Sequence, residues 1–289
     1  MKITNKMSLP QAFVQMAQEE YELPVNEYRV TSLLKGIRET MLEKRHGAEI
    51  EQDVSDMIWL LFGTAVHSIL EHQNEGKDEI KETRLKLPVG DRVLSGQFDL
   101  YNAATKTITD YKTCSVWKVI FGDYTDWKRQ MLIYAYMLRD AGFEVKHGEI
   151  VAMMKDHSKR DAKVKQDYPQ FPVKKITFKF TEQDFADIEQ FLKDKFSEIA
   201  AAEKTADDEL PVCTLEERFN SGDKFAVMKK GRKTALRVLD SAEAADEWKD
   251  QNGGDYIELR QGEDKKCKDY CSACEFCSYY REHVKGGVE

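Results

Sequence analysis

Two short stretches in the middle of the chain carry acidic and basic residues at spacings suited to metal-dependent chemistry. Asp99 lies in SGQFDLYN, Asp110 and Lys112 lie in ITDYKT, and the turn-like NAATKT falls between the two stretches. If they pair as a β-hairpin, the two aspartates come close together, and Asp110 and Lys112 share one face of a strand. Burying two carboxylates is costly unless a cation such as Mg²⁺ or Mn²⁺ neutralises them. The spacing is compatible with metal-assisted hydrolysis of a phosphodiester, but a lone D-x-K is more typical of an exposed hairpin.

Polar residues on two predicted helices are candidates to join this site. His67 lies in the otherwise apolar GTAVHSILE, with Glu71 one turn later. A lone histidine in such a stretch is also typical of a hydrogen-bonded core residue. Gln130 and Tyr134 are four residues apart in RQMLIYAYML and so share one helical face. Taken alone, those two residues fit a surface or a site rim equally well.

A cysteine-rich segment near the C-terminus forms the second constellation. It reads CKDYCSACEFC and contributes Cys267, Cys271, Cys274 and Cys277. In a reducing compartment, such spacing indicates metal binding before disulfide formation. Closely packed thiolates repel one another unless a metal neutralises them or some of them are protonated.

A distant cysteine makes metal binding by this segment easier, because four neighbouring ligands leave little chain to surround a metal. Cys213 is the predicted distant ligand, whereas Cys114 fits a buried small apolar residue. We predict a [4Fe–4S] cluster in preference to structural Zn²⁺ or to metal-free thiols. The predicted ligands are Cys213, Cys267, Cys271 and Cys277, with Cys274 as a substitute.

Composition limits the class of protein. The chain has 289 residues, of which 41% are hydrophobic and 33% charged, so it can bury a core and is not disordered throughout. It contains no apolar run near the roughly 18 residues of a membrane span and no apolar signal-peptide region, which predicts a cytoplasmic protein without membrane contact. With 44 Lys and Arg against 52 Asp and Glu, the net charge is −8, so any nucleic-acid contact must use local basic patches.

The periodicity predicts an α/β domain over residues 1–206. Alternating segments between residues 80 and 110 predict a β-meander, and GEIVAMMK and KKITFKF predict two further strands. Helical spacing covers residues 30–42, 54–75, 123–141 and 181–204, with Thr181 as a cap and with 54–75 as a core helix. Residues 207–260 predict a small basic ββαβ insert, and residues 261–289 form the cysteine-rich segment, expected to pack on the core.

A basic hairpin tip within the insert is the best candidate for a DNA contact. Lys229, Lys230, Arg232 and Lys233 lie there without an acidic neighbour and could contact phosphates without reading bases. Arg38, on the predicted helix 30–42, is expected to line the same groove.

The series GTAVHSILE, SGQFDL, ITDYKT and RQMLIYAYML resembles, in order and spacing, the RecB-like branch of the PD-(D/E)xK nuclease superfamily, over roughly residues 28–205. The resemblance implies a restriction-endonuclease-like core, a central mixed sheet flanked by helices. It also implies that Asp99, Asp110 and His67 are metal ligands. The same resemblance assigns the Tyr111 carbonyl to the metal shell, Lys112 to the attacking water, and Gln130 and Tyr134 to a DNA-contacting Q-x-x-x-Y motif. Phe98 replaces the Pro of the superfamily name, as is common in this branch.

The resemblance further implies a Mg²⁺- or Mn²⁺-dependent DNA exonuclease of phage or prophage origin, acting in recombination or DNA-end processing in a bacterial cytoplasm. Iron–sulfur members of the superfamily place their distant cysteine before the histidine motif, but no cysteine precedes Cys114 here. The chain has no P-loop motif, so a helicase would be a separate partner, as would a phage single-strand annealing protein. Two alternatives stay open: a CRISPR-adaptation nuclease and a non-catalytic DNA-binding or assembly module. The sequence leaves polarity, strand preference and oligomeric state open.

Overall fold

The chain forms two compact units in a computed structural model that describes residues 1–18, 23–72 and 76–287. The first unit contains residues 1–35 and 48–204, and the second contains residues 36–47 and 205–289. The last residues of the predicted helix 54–75, from 73 onward, lie outside the described residues. Within the described ranges, no helix is both long and apolar enough to cross a membrane.

The secondary structure alternates between strands and helices along the chain. The strands are β1 (Lys2–Thr4), β2 (Glu27–Arg29), β3 (Glu51–Asp53), β4 (Glu79–Val89), β5 (Arg92–Asn102), β6 (Thr107–Cys114), β7 (His147–Met154), β8 (Val173–Lys179), β9 (Lys224–Met228), β10 (Arg237–Leu239) and β11 (Tyr256–Arg260). The α-helices are α1 (Gln11–Gln18), α2 (Val30–Leu33), α3 (Ile37–His46), α4 (Ile58–Glu71), α5 (Val116–Phe121), α6 (Thr125–Asp140), α7 (Lys159–Val164), α8 (Glu182–Ala202), α9 (Ala242–Asn252) and α10 (Lys265–Asp269).

A mixed six-stranded sheet forms the centre of the first unit. Its order is β2-β5-β6-β7-β8, with β4 paired to β5. The β4-β5-β6 meander is antiparallel, β6 and β7 run parallel, and β8 returns antiparallel to β7. Leu94, Phe98, Ile108 and Ile150 of this sheet are buried with apolar residues of α6 and α8. The predicted central mixed sheet flanked by helices is confirmed.

The helices agree with the sequence pattern in some places and depart from it in others. Thr181 caps α8 in a capping box with Asp184, as expected of a threonine followed three residues later by an acid. The prediction of one helix over residues 30–42 is wrong. The helix is interrupted between α2 and α3, where Gly36 adopts an extended conformation. A Cβ atom at Gly36 would lie 2.7 Å from Cys213 Sγ, so this glycine permits a close approach.

The predicted core helix, α4, buries only one of its apolar residues. Leu61 is buried in a small cluster with Ala17, Val54 and Met57. Trp59, Leu60, Phe62 and Ile69 are exposed instead. The prediction of a core helix is therefore wrong, because a helix that packs on its neighbours through one narrow stripe leaves its other apolar side chains in solvent.

The second unit contains a small antiparallel sheet of order β10-β9-β11 with α9 packed on it. Ala226, Val227, Met228 and Ala245 form its buried interior. The ββαβ order predicted for residues 207–260 is confirmed. Helix α3 also belongs to this unit, because its Arg38 bonds to the main chain of residues 208–211.

Candidate metal centre

The site lies where strands β5 and β6 separate. The two strands pair only between 100–102 and 107–109, ending at Leu100 opposite Thr109. The next residues, Asp99 and Asp110, stand at the start of the gap, and β2 pairs with β5 further along the same edge. The main-chain N–H of Tyr111 donates to the side-chain Oδ2 of Asp99 at 2.6 Å instead of to a main-chain carbonyl of β5. A carboxylate thus replaces a main-chain partner, which fixes its orientation.

Helix α4 places a histidine over this gap. His67 Nδ1 lies 3.3 Å from Asp99 Oδ1 and 3.8 Å from Glu82 Oε1. The helix can approach β6 because it carries Gly63 one turn earlier, where a Cβ atom would lie 3.3 Å from Thr113 Oγ1. His67, Glu82 and Asp99 each offer a ligand atom within 4.8 Å of the others, the geometry needed to hold a metal ion.

Glu82 is a candidate metal ligand that the sequence pattern did not predict. It lies on β4 directly opposite Asp99, at the one position where the regular β4–β5 pairing is interrupted, and its φ is +42°. A positive φ is uncommon for a residue other than glycine and concentrates at functional sites. The position of Glu82 could have been predicted from the hairpin turn. Val89 pairs with Arg92 across a two-residue turn, and counting back from that pair brings Glu82 opposite Asp99.

A short chain of hydrogen bonds holds Glu82 in place. Gln97 Nε2 donates to Glu82 Oε2 at 2.9 Å, and Arg84 Nη2 donates to Gln97 Oε1 at 3.1 Å. These contacts fix one carboxylate oxygen of Glu82 while the other faces His67. Hydrogen bonds of this kind orient the ligands of a metal site from behind.

The histidine carries positive charge where a cation would bind. Hydrogen bonds to Asp99 and then to Glu82 raise the pKa of His67 to about 10, against the opposing effect of its burial. At neutral pH the imidazolium therefore balances one of the two negative charges of Asp99 and Glu82. A divalent cation would take over that role only with loss of the imidazolium proton, because a coordinating imidazole must be neutral.

The second aspartate shows an unsatisfied oxygen. Asp110 is buried, and its Oδ2 accepts no hydrogen bond but forms an ion pair with Lys112 Nζ at 2.8 Å. Burial raises the pKa of Asp110, while the Lys112 charge opposes this rise and the Asp99 charge adds to it. The ion pair with Lys112 leaves this oxygen without a hydrogen bond, and a cation ligated by oxygen would give it a further partner. The residues present therefore fit Mg²⁺ or Mn²⁺.

Lys112, Gln130 and Tyr134 form a second chain of contacts beside Asp110. Lys112 Nζ donates to Asp110 Oδ1 and to Gln130 Oε1, both at 3.0 Å, and Gln130 Nε2 donates to the Tyr134 hydroxyl at 3.4 Å. Tyr134 is buried, and its ring lies so close to β5 that a Cβ at Gly96 would come within 2.5 Å of it. Burial also raises the pKa of the Tyr134 hydroxyl, which keeps it protonated. In this geometry Gln130 and Tyr134 position Lys112.

The predicted basic contacts to DNA phosphates divide into two groups, both in the second unit. The hairpin tip between β9 and β10 exposes Lys229, Lys230, Arg232 and Lys233, as a phosphate contact requires. Arg38 is only 4% exposed, and its guanidinium donates to the Leu210 and Asp208 carbonyls and to Ser278 Oγ. Because its donors are used within the unit, Arg38 is not available to a phosphate and is better described as a structural residue.

Five cysteines of the second unit line one cavity together with Arg38 and Glu39. They are Cys213, Cys267, Cys271, Cys274 and Cys277. None of them forms a disulfide. The main-chain N–H of Glu39, in the first turn of α3, lies beside the Cys213 sulfur and that of Ala273 lies beside the Cys271 sulfur, and each acts to lower the pKa of its thiol. Burial raises the pKa of Cys271 to about 12 and that of Cys267 to about 11.

The spacing of these thiols bears on which metal group they fit. In a tetrahedral zinc site the sulfur atoms lie about 3.8 Å apart, given a Zn–S bond of about 2.3 Å. Among the described cysteines, no three sulfur atoms lie within 4.8 Å of one another. An iron–sulfur cluster is larger than one metal ion and separates its ligands further, and both groups take thiolate donors of this kind.

No protein-family profile and no curated protein matches the sequence. Solved structures that resemble the chain include SSO0001, with 17% identity over 65% of this chain and 82% of that chain and a TM-score of 0.45. LHK-Exo, an alkaline exonuclease from Laribacter hongkongensis, has 13% identity over 62% and 91% of the two chains in its dAMP complex, with a TM-score of 0.39. A phage related exonuclease from Haemophilus somnus 129PT has 11% identity over 67% and 83%, with a TM-score of 0.30.

Proposed function

We propose that this chain is a divalent-metal-dependent DNA nuclease. The observation that carries the proposal is the grouping of His67, Glu82 and Asp99 beside an unsatisfied oxygen of Asp110, at the point where β5 and β6 separate. Lys112 lies against the same carboxylate. Carboxylates, an imidazole and a lysine in this arrangement suit phosphodiester hydrolysis better than they suit a purely structural role.

Each residue has a distinct part in this chemistry. His67, Glu82, Asp99 and Asp110 would hold the metal, and the carbonyl of Tyr111 stays a predicted further ligand. A bound Mg²⁺ or Mn²⁺ supplies Lewis-acid polarisation of the scissile phosphate. Two of the three Lys112 ammonium protons are used by Asp110 and Gln130, which leaves the third to hold the attacking water.

We further propose that the nuclease is an exonuclease of phage or prophage origin, working on DNA ends or single strands in a bacterial cytoplasm. Its support is the RecB-like order of motifs and the exposed basic hairpin tip of the second unit. A helicase or a phage single-strand annealing protein would be its partner, and oligomer formation is compatible with this role. A CRISPR-adaptation nuclease would use the same site, and a non-catalytic DNA-binding or assembly module would keep the fold without turnover.

A cleavage assay tests the proposal directly. The full chain, purified without oxygen, is incubated with Mg²⁺ or Mn²⁺ and with end-labelled linear duplex, single strand and closed circle. Metal-dependent loss of the linear substrates alone, blocked by EDTA, supports an exonuclease, whereas cutting of the circle supports an endonuclease. Binding of DNA without any cleavage contradicts the proposal and favours the non-catalytic module.

Metal affinity should depend on pH through His67. Below its pKa of about 10 the imidazole is protonated in the metal-free protein and must release that proton when metal binds. The apparent affinity for Mn²⁺ should therefore rise with pH, by at most about tenfold per unit, and level off near pH 10. Calorimetry in buffers of different ionisation enthalpy at about pH 8 should find close to one proton released per metal. His67→Gln should remove this release, and a wild-type protein that releases no proton would refute the coupling.

We also propose that the cysteines of the second unit hold a [4Fe–4S] cluster with a structural role. The support is the shared cavity, the five thiols that line it and the main-chain N–H groups beside the Cys213 and Cys271 sulfurs. Such donors are typical around thiolate ligands of iron–sulfur sites. Cys213, Cys267, Cys271 and Cys277 are the proposed ligands, and Cys274 is the substitute.

A further inference from the structure

Four aromatic side chains of the first unit are exposed in two pairs. Trp59 and Phe62 on α4 are 60% and 46% exposed, and Trp117 and Phe121 on α5 are 56% and 76% exposed. The rings of Trp59 and Phe62 lie 6.3 Å apart edge to face, and those of Trp117 and Phe121 stack at 5.8 Å. We call these four residues the aromatic surface. Exposed apolar side chains grouped in this way indicate a binding site.

The aromatic surface lies next to the candidate metal centre. Helix α5 begins two residues after β6 ends, so Trp117 follows Lys112 closely in the chain. Trp59 is on the same helix as His67, eight residues earlier, which is about 12 Å along the helix axis. The close approach of Gly63 to Thr113 holds this part of α4 against the end of β6.

Lysines lie among these rings. Lys155 Nζ is 4.1 Å from the centre of the Trp59 ring, and the Lys155 main-chain N–H donates to the Cys114 carbonyl at the end of β6. Lys118, on α5 between Trp117 and Phe121, places its Nζ 5.2 Å from the Trp127 ring. Flat apolar faces beside cations match the alternation of bases and phosphates in a nucleic-acid strand.

We propose that the aromatic surface binds the unpaired strand of a DNA end by stacking on its bases. This inference rests on the proposed nuclease function and adds a binding site to it. Bases in a duplex stack on one another and offer their faces only at the end, so rings of this kind favour an unpaired strand. At about 3.4 Å per stacked nucleotide, the 12 Å between Trp59 and His67 corresponds to three or four nucleotides.

The test measures DNA binding in EDTA, where no cleavage competes, by fluorescence anisotropy of a labelled single strand and of a blunt duplex. Trp59→Ala and Trp117→Ala should each weaken single-strand binding at least about fivefold, the loss expected for one stacked base. Duplex binding should change much less, and Trp59→Phe should restore part of the loss. Phe13→Ala, at an exposed aromatic of α1 that is 38% exposed, is the matched control. Circular dichroism and thermal unfolding of every variant confirm that it is folded.

The outcomes separate this inference from the proposed function. If the wild-type protein binds single strands through the aromatic surface but cleaves no DNA, the result contradicts the proposed nuclease function and supports single-strand binding by the aromatic surface. If both tryptophan variants cleave DNA normally and keep their affinity for single strands, the proposal that the aromatic surface binds DNA is wrong. Unchanged DNA affinity with a lower mass by light scattering also overturns it, because the rings would then contact a second copy of the chain.

Discussion

Replacing Asp110 with asparagine should reduce DNA cleavage at least about 1,000-fold while the protein stays folded. Metal-ion catalysis supplies several kcal/mol of transition-state stabilisation, and each 1.4 kcal/mol corresponds to a factor of ten in rate. Asparagine keeps the shape of the side chain but removes the charge that would hold the metal. It also weakens the contact that aligns Lys112 Nζ, now 3.0 Å from Asp110 Oδ1.

The same substitution should cost little stability, for an electrostatic reason. Asp110 is buried, and burial disfavours its charged form. Removing that charge relieves a desolvation penalty, while Lys112 stays partly exposed and keeps Gln130 as an acceptor. The thermal midpoint should therefore move by only a few degrees, about the effect of 1 kcal/mol.

An exposed aspartate supplies the control for this experiment. Asp167→Asn makes the same chemical change at an exposed position of the first unit and should leave cleavage unaffected. The measurements are the cleavage rate on end-labelled linear DNA and the thermal midpoint followed by circular dichroism. Retained activity in Asp110→Asn would remove Asp110 from the site, and an unfolded variant would show that its role is structural.

The meander could be predicted from the sequence because strand alternation is local. ETRLKLPV and DRVLSGQFDLYN alternate, and Gly90, with φ of +63°, lies in the tight turn between them. The separation of β5 from β6 could not be predicted in this way. It depends on β2, a strand more than sixty residues earlier, which pairs with β5 at residues 93–95. The gap that places Asp99 beside Asp110 is thus a tertiary feature.

Side-chain burial is the second feature that the sequence pattern did not predict. Arg38 has the spacing of an exposed basic residue, yet it is buried, because the carbonyls of residues 208–211 accept hydrogen bonds from its guanidinium. The aromatic residues of α4 show the reverse case, since they resemble core residues and are exposed. In both cases burial depends on whether parts of the chain far away in the sequence cover the side chain, and periodicity carries no information on that.

Cys213 tests whether the second unit depends on a metal group that spans distant parts of the chain. Cys213→Ser should lose the broad absorbance near about 400 nm and the bound iron and sulfide of protein purified without oxygen. The substitution is nearly isosteric, so a loss of stability would come from the missing ligand. Structural metal sites contribute about 10 kcal/mol to folding. Losing even a few kcal/mol should lower the thermal midpoint of the unit by at least about 10 °C.

Two other cysteines turn this experiment into a ligand assignment. Cys114 is buried in the first unit, outside the cysteine cavity, so Cys114→Ser should keep full absorbance and iron content. Cys274→Ser should also keep the cluster if Cys274 is a substitute ligand. A variant set in which Cys274→Ser loses iron and Cys213→Ser retains it would place the four ligands within the local cysteine segment. Helix α3 would then be held by Arg38, whose guanidinium donates to the Leu210 carbonyl, rather than by a metal group.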